Sequence, residues 1–180
     1  MRDQPEDRFF IVWISNSIKN VPMFQQRVSN DPDSACCWDY HVILLCARAT
    51  ERDVVVYDID TVLPYPIPLN EYLQRSFPYE WPFPYAPMFR LIPAVSYLRH
   101  FASDRMHMFN PQKNTWNAPP PDYDCINISD GRPSNFQRYL DFSFTAANQT
   151  AEEEAIFGRI LSLRQLAEYP HFFAQESTMA

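Results

Sequence analysis

Short apolar runs, each closed by a turn signal or a proline, recur along the chain, and few are periodic or long enough for a sizeable helix. Residues 9–14 form an unbroken β-branched and aromatic run that predicts a strand, ended by Ser15, Asn16 and Ser17. Residues 37–47 and 53–59 read the same way, and the short polar link at 48–52 makes them an antiparallel hairpin. Prolines at 64, 66 and 68 then force an extended approach to a short helix over 69–76. The proline-rich stretch 77–87 must be loop, 89–92 predicts a strand and 94–101 a short helix. Loop is expected again over 110–124, with one or two helical turns over 134–140. Residues 141–150 show little periodicity, and the stretch 141–154 reads as an insertion. Near the end, 159–161 is strand-like, and Ser162 with Gln165 makes a capping box opening a helix that reaches about Tyr169 before Pro170 stops it. Strands in succession with short helices between them make α+β the expected class.

Composition agrees with this outline. Seventeen prolines against two glycines disfavour long helices and favour extended segments with rigid connections. With 180 residues, 16% aromatic and only 21% charged, the chain fits one packed domain over 1–180, a size that buries roughly 70% of its unfolded surface. The net charge of -7 supplies no electrostatic footprint for a phosphate backbone or anionic lipid, so neither nucleic acid nor membrane is an expected partner. No apolar run approaches the ~20 residues of a membrane span. Arg2, Asp3, Glu6 and Asp7 do not fit a signal peptide, so an intracellular protein is expected. Cys36, Cys37, Cys46 and Cys125 show no zinc spacing and make a poor disulfide framework; free thiols and no metal are expected.

The chemistry lies in Trp38-Asp39-Tyr40-His41-Val42 and in Tyr57-Asp58-Ile59-Asp60-Thr61. In a hairpin, opposed residues share a face. A turn centred between Ala49 and Thr50 sets His41 opposite Asp58; a turn centred one residue later sets it opposite Asp60 with Asp58 diagonal. Either register gathers Asp39, His41, Asp58 and Asp60 on one face and leaves Trp38, Tyr40, Val42 and Leu44 as an apolar set for the core. Registers of the other parity split His41 from Asp58. A histidine held by a carboxylate is the base that activates a Cys or Ser nucleophile; the competing reading is a satisfied structural histidine.

The nucleophile is harder to find. Cys37 precedes His41 by four residues, roughly 13 Å along an unbroken strand at ~3.3 Å per residue, which excludes a hydrogen bond unless the strand breaks. Cys36 and Cys46, five residues away, point to the other face, and Cys125 follows a proline-rich loop; structural roles are expected for all four. Two further motifs have bland readings. Pro120-Pro121-Asp122-Tyr123 fits a PPxY ligand of WW domains but also a packed loop. Met106-His107-Met108 lacks the clustered ligands of a soft-metal site.

These residues resemble the WDYHV-motif proteins, the protein N-terminal glutamine amidohydrolases. The likeness extends beyond the pentapeptide to residues 10–16, 57–64, 96–105 with His107 and Met108, Trp116, Pro119 to Pro121 and 158–166, in order, so that it covers about 9–172. It implies a papain- or transglutaminase-like α+β fold, mainly antiparallel sheet with short helices. It further implies a Cys-His-Asp triad that hydrolyses the side-chain amide of N-terminal Gln to Glu and ammonia, feeding the arginine branch of the N-degron pathway. By the resemblance His41 and Asp58 are the triad His and Asp; a free N-terminus also needs an anion for its α-ammonium, for which Asp39 and Asp60, ahead of Asp104, are the candidates. A cytoplasmic or also nuclear monomer is expected, acting without cofactor on proteins and peptides with N-terminal Gln. The family's cysteine opens a helix ahead of the first strand. Only eight residues precede Phe9 here, and none is Cys, so the expectation is an N-terminally shortened chain with that helix missing. The alternative is an inactive isoform or paralogue that binds N-terminal Gln without turnover.

Overall fold

A computed structural model describes residues 7–48, 54–126, 131, 133–143 and 149–169. Its strands are β1 (Arg8–Ser15), β2 (Val21–Met23), β3 (Cys36–Trp38), β4 (His41–Ala47), β5 (Val54–Tyr57), β6 (Ile67–Pro68), β7 (Met88–Pro93), β8 (Phe109–Asn110), β9 (Thr115–Trp116) and β10 (Arg159–Ser162). The helices are α1 (Leu69–Ser76), α2 (Ala94–His100), α3 (Phe136–Tyr139), α4 (Ala151–Phe157) and α5 (Leu163–Glu168). Six strands form one sheet in the order β10-β7-β1-β4-β5-β6, and every pairing in it is antiparallel. The α+β class with short helices is therefore observed.

Local sequence codes explain many boundaries. Pro68 and Pro93 immediately precede α1 and α2, and the acidic first turn and basic last turn of α1, Glu71 and Arg75, match the helix dipole. Ser162 accepts from the Gln165 amide while the Gln165 side chain accepts from the Ser162 amide, so the expected capping box is present in full. A second capping box, Thr150 with Glu153, opens α4 within the last part of the stretch read as an insertion. Residues 144–148 lie outside the described residues, as do 1–6 and 49–53, most of the expected hairpin turn.

The sheet is packed on both faces. One face carries Phe10, Val12, Ile14, Ile43, Leu45, Val54, Val56, Phe89 and Leu161 against Leu69, Tyr72 and Leu73 of α1 and Leu166 of α5. The other centres on Trp13, fully buried among Phe101, Phe136, Tyr139 and Tyr40. Arg90 is buried on this second face and donates to the carbonyl oxygens of Tyr139, Asp141 and Phe157, which ties α3, α4 and the chain between them to β7.

Two expectations for 37–47 are corrected. The segment is not one strand: it breaks at Asp39 and Tyr40, because β3 pairs with β2 while β4 enters the large sheet between β1 and β5. The break is stabilised by Asp39 itself, whose Oδ1 accepts from the Tyr40 amide at 2.9 Å, and by Ser15 Oγ, which donates to the Asp39 carbonyl at 2.6 Å. The apolar face is also reversed. His41, Ile43, Leu45 and Ala47 are the buried positions facing α1 and α5, and Val42 is 36% exposed. A sheet covered on both sides lacks the polar face that alternation assumes.

Candidate active site

His41 opens β4 on the first of these faces. The ladder pairs Leu44 with Tyr57, so its continuation sets His41 opposite Asp60 with Asp58 on the diagonal, the second of the two registers that unite them. Past Tyr57 the chain leaves the ladder in a turn, in which the Asp60 amide donates to Asp58 Oδ1 at 2.9 Å. That turn is anchored from the other side by Arg27, whose amide donates to the Asp60 carbonyl, and by Thr61, whose hydroxyl donates to the Gln25 carbonyl.

The two side chains meet inside the protein. His41 Nε2 lies 3.0 Å from Asp58 Oδ1, with His41 4% and Asp58 1% exposed. The bond places the imidazole proton on Nε2 and leaves Nδ1 without a hydrogen-bond partner among the described residues. The Trp38 ring lies 5.0 Å from the imidazole, centroid to centroid, and covers it. Asp58 Oδ2 accepts from the Tyr72 hydroxyl at 2.8 Å. Burial by itself would raise the Asp58 carboxyl, but the hydrogen bond and charge of His41, the Asp60 amide and the Tyr72 hydroxyl outweigh it and hold it below the ordinary carboxylate range. Burial, then the Asp58 charge, push the Tyr72 hydroxyl well above the ordinary tyrosine value, so it stays a donor.

Asp60 is half-buried, and His41, Asp58 and Asp60 can bring one side-chain donor atom each within 4.8 Å of one another. Nε2 and Oδ1 are already spent on each other, so the trio reads as a hydrogen-bonded dyad with an added carboxylate, not as an open metal cage. Asp39 is exposed beyond the strand break, and its charge acts on Tyr40 and His107. Asp104 Oδ1 accepts from the Met106 amide, and its charge also acts on His107.

None of the four cysteines hydrogen-bonds His41. Cys46 is buried toward the far end of β4, and its thiol is pushed up by burial and then by the nearby Asp7 charge. Burial likewise pushes up the Cys36 thiol, the opposite of what a nucleophile needs. The remaining motifs are also accounted for. His107 stacks flat on Phe136 at 3.8 Å, and Arg105 donates to the Pro121, Tyr123 and Asp124 carbonyls while lying over the Tyr123 ring, so the proline run is a clamped loop.

Tyr72 is the site residue that sequence reasoning missed. It falls in a helical stripe with Leu69, Leu73 and Ser76, which reads as ordinary core.

A buried imidazole oriented by a carboxylate is the base half of hydrolases that use a side-chain nucleophile. The sequence model of the N-terminal glutamine amidase family matches residues 1–170. Relatives named protein N-terminal glutamine amidohydrolase include one from Bos taurus, 38% identical over 175 residues and covering 96% of this chain and 77% of the relative. One from Arabidopsis thaliana is 34% identical over 154 residues, 84% and 69% of the two chains. One from Drosophila mojavensis is 32% identical over 184 residues, 98% and 84%. The chain belongs to the N-terminal glutamine amidase family.

Proposed function

We propose that this chain forms the base and substrate-binding part of an enzyme that hydrolyses the side-chain amide of N-terminal glutamine, giving N-terminal glutamate and ammonia. The observation that carries this reading is the buried 3.0 Å bond from His41 Nε2, in the pentapeptide that carries the family likeness, to Asp58 Oδ1 past the end of β5. With Nε2 held, Nδ1 is the nitrogen that accepts the proton of a cysteine thiol. The thiolate attacks the carboxamide carbon, His41 returns the proton to the departing ammonia, and water activated by the same nitrogen opens the thioester to the carboxylate. None of Cys36, Cys37, Cys46 and Cys125 hydrogen-bonds His41, and the resemblance puts the thiol in a helix ahead of β1, in a papain- or transglutaminase-like arrangement. Asp60, half-buried beside the dyad, receives the α-ammonium of the substrate, and the geometry favours it over the more distant Asp39. Such a product enters the N-degron pathway.

The test uses two proteins. The chain by itself is expected to bind a Gln-initiated peptide without releasing ammonia. Carrying the family's cysteine-bearing segment ahead of β1, it is expected to release ammonia from that peptide and not from its acetylated form. In that protein His41→Ala should lower turnover by about 10³-fold or more, and Asp60→Asn should raise KM more than it lowers kcat. Near-normal turnover by His41→Ala would sink the assignment, and equal use of acetylated peptide would sink the role of Asp60.

A further inference from the structure

Asp58 is a buried carboxylate with no lysine or arginine paired to it among the described residues. Its charge is balanced by three donors: Oδ1 accepts from His41 Nε2 and the Asp60 amide, and Oδ2 accepts from Tyr72. Two donors on one oxygen do not fix a carboxylate, because the terminal torsion of Asp is broad and roughly two-fold. We infer that Tyr72 is a positioning residue of this site: its hydroxyl holds Oδ2, so that Oδ1 stays on Nε2 and the imidazole presents Nδ1 to the reaction.

The placement of Tyr72 suits that role. It is fully buried on α1, and α1 starts directly after β6. β6 is paired to β5 through Val55 with Pro68 and Val56 with Ile67, and β5 is the strand that delivers Asp58. Donor and acceptor are thus tied to one two-rung ladder, which sets their separation before any substrate arrives. The ionisable groups facing Asp58 are His41 from β4, Asp60 from its own turn and Tyr72 from α1. Of these, Tyr72 is the one whose donor is aimed at the second oxygen, and its hydroxyl, pushed well above the ordinary tyrosine value, stays protonated.

The inference rests on reading His41 and Asp58 as the base pair, but its test needs no turnover, so either reading can fail alone. NMR of the chain as it stands follows the Asp58 carboxyl carbon through an acid titration and the exchange of the His41 Nε2 proton. In Tyr72→Phe the Asp58 midpoint should rise by about one to two pH units, the value of a hydrogen bond to a charged group, and the Nε2 proton should exchange about tenfold faster. Replacing Tyr72 by 3-fluorotyrosine, a more acidic donor of nearly the same shape, should lower the midpoint instead. A tyrosine that merely fills the core would give no such opposed response. Amide protection across β4 and β5 controls for folding; should Tyr72→Phe fail to fold, the fluorotyrosine arm decides alone. An Asp58 midpoint that ignores donor acidity, or an Nε2 proton whose exchange is unchanged, overturns the assignment.

Discussion

Replacing Asp58 by Asn keeps the size of the side chain and removes the charge on which three donors converge. Hydrogen bonds to a charged group contribute about 1.5–3 kcal/mol each against about 1 for neutral ones, so three bonds lose a few kcal/mol of charge assistance. Part of this is offset, because the variant no longer desolvates a carboxylate at a position 1% exposed. The net expectation is a loss of about 2 kcal/mol at neutral pH. The pH dependence separates this mechanism from simple repacking. Since the folded state holds the Asp58 carboxyl below its ordinary value, the ionised group stabilises the fold fully above the unfolded carboxylate value of about 3.9, and this contribution disappears as pH falls through the folded value. Urea unfolding followed by tryptophan fluorescence should therefore show the native chain and Asp58→Asn far apart at pH 7 and converging below about pH 4. A constant gap between the two curves across that window, or an asparagine variant as stable as the native chain at pH 7, would refute the reasoning.

Two other substitutions test the scaffold. Gly158 joins α4 to β10 at φ +74°, and a Cβ there would fall 2.2 Å from the Leu91 carbonyl oxygen and 2.6 Å from Ile92 Cγ1. Gly158→Ala should cost about 3 kcal/mol or more and lower Tm by about 10 °C in a thermal melt; a shift of a degree or two would contradict the close approach. Arg90→Met fills much of the same volume but strands the carbonyls of Tyr139, Asp141 and Phe157, with an expected loss of about 3–5 kcal/mol in urea unfolding. An unchanged or higher midpoint would mean that those carbonyls find water instead.

Much of this architecture could be read locally. The helix at Leu69–Ser76 is bounded by Pro68 on one side and Phe77 and Pro78 on the other, and the sequence expectation matches both of its ends. The capping box at Ser162 is equally legible, and the one at Thr150 carries the same signature, Ser or Thr followed three residues later by Glu or Gln. In each case the boundary is set by near neighbours, by proline restricting the backbone at the helix and by side chains bonding their own backbone at the two caps, so the information is contained in the sequence window.

The site itself divides along the same line. That His41 and Asp58 share a face follows from the two-residue period of a strand and from either of two turn positions, and the pentapeptide around His41 marks the family. Which register holds, with Asp60 opposite and Asp58 diagonal, depended on the pairing of whole strands. That His41 faces the core under α1 and α5, that Asp39 turns away at the break between β3 and β4, and that Tyr72 reaches Asp58 were decided only by tertiary packing. The physical reason is distance along the chain. Alternation and capping are energies between near neighbours, whereas the environment of a buried carboxylate is set by helices and strands that come together only when both faces of the sheet are covered.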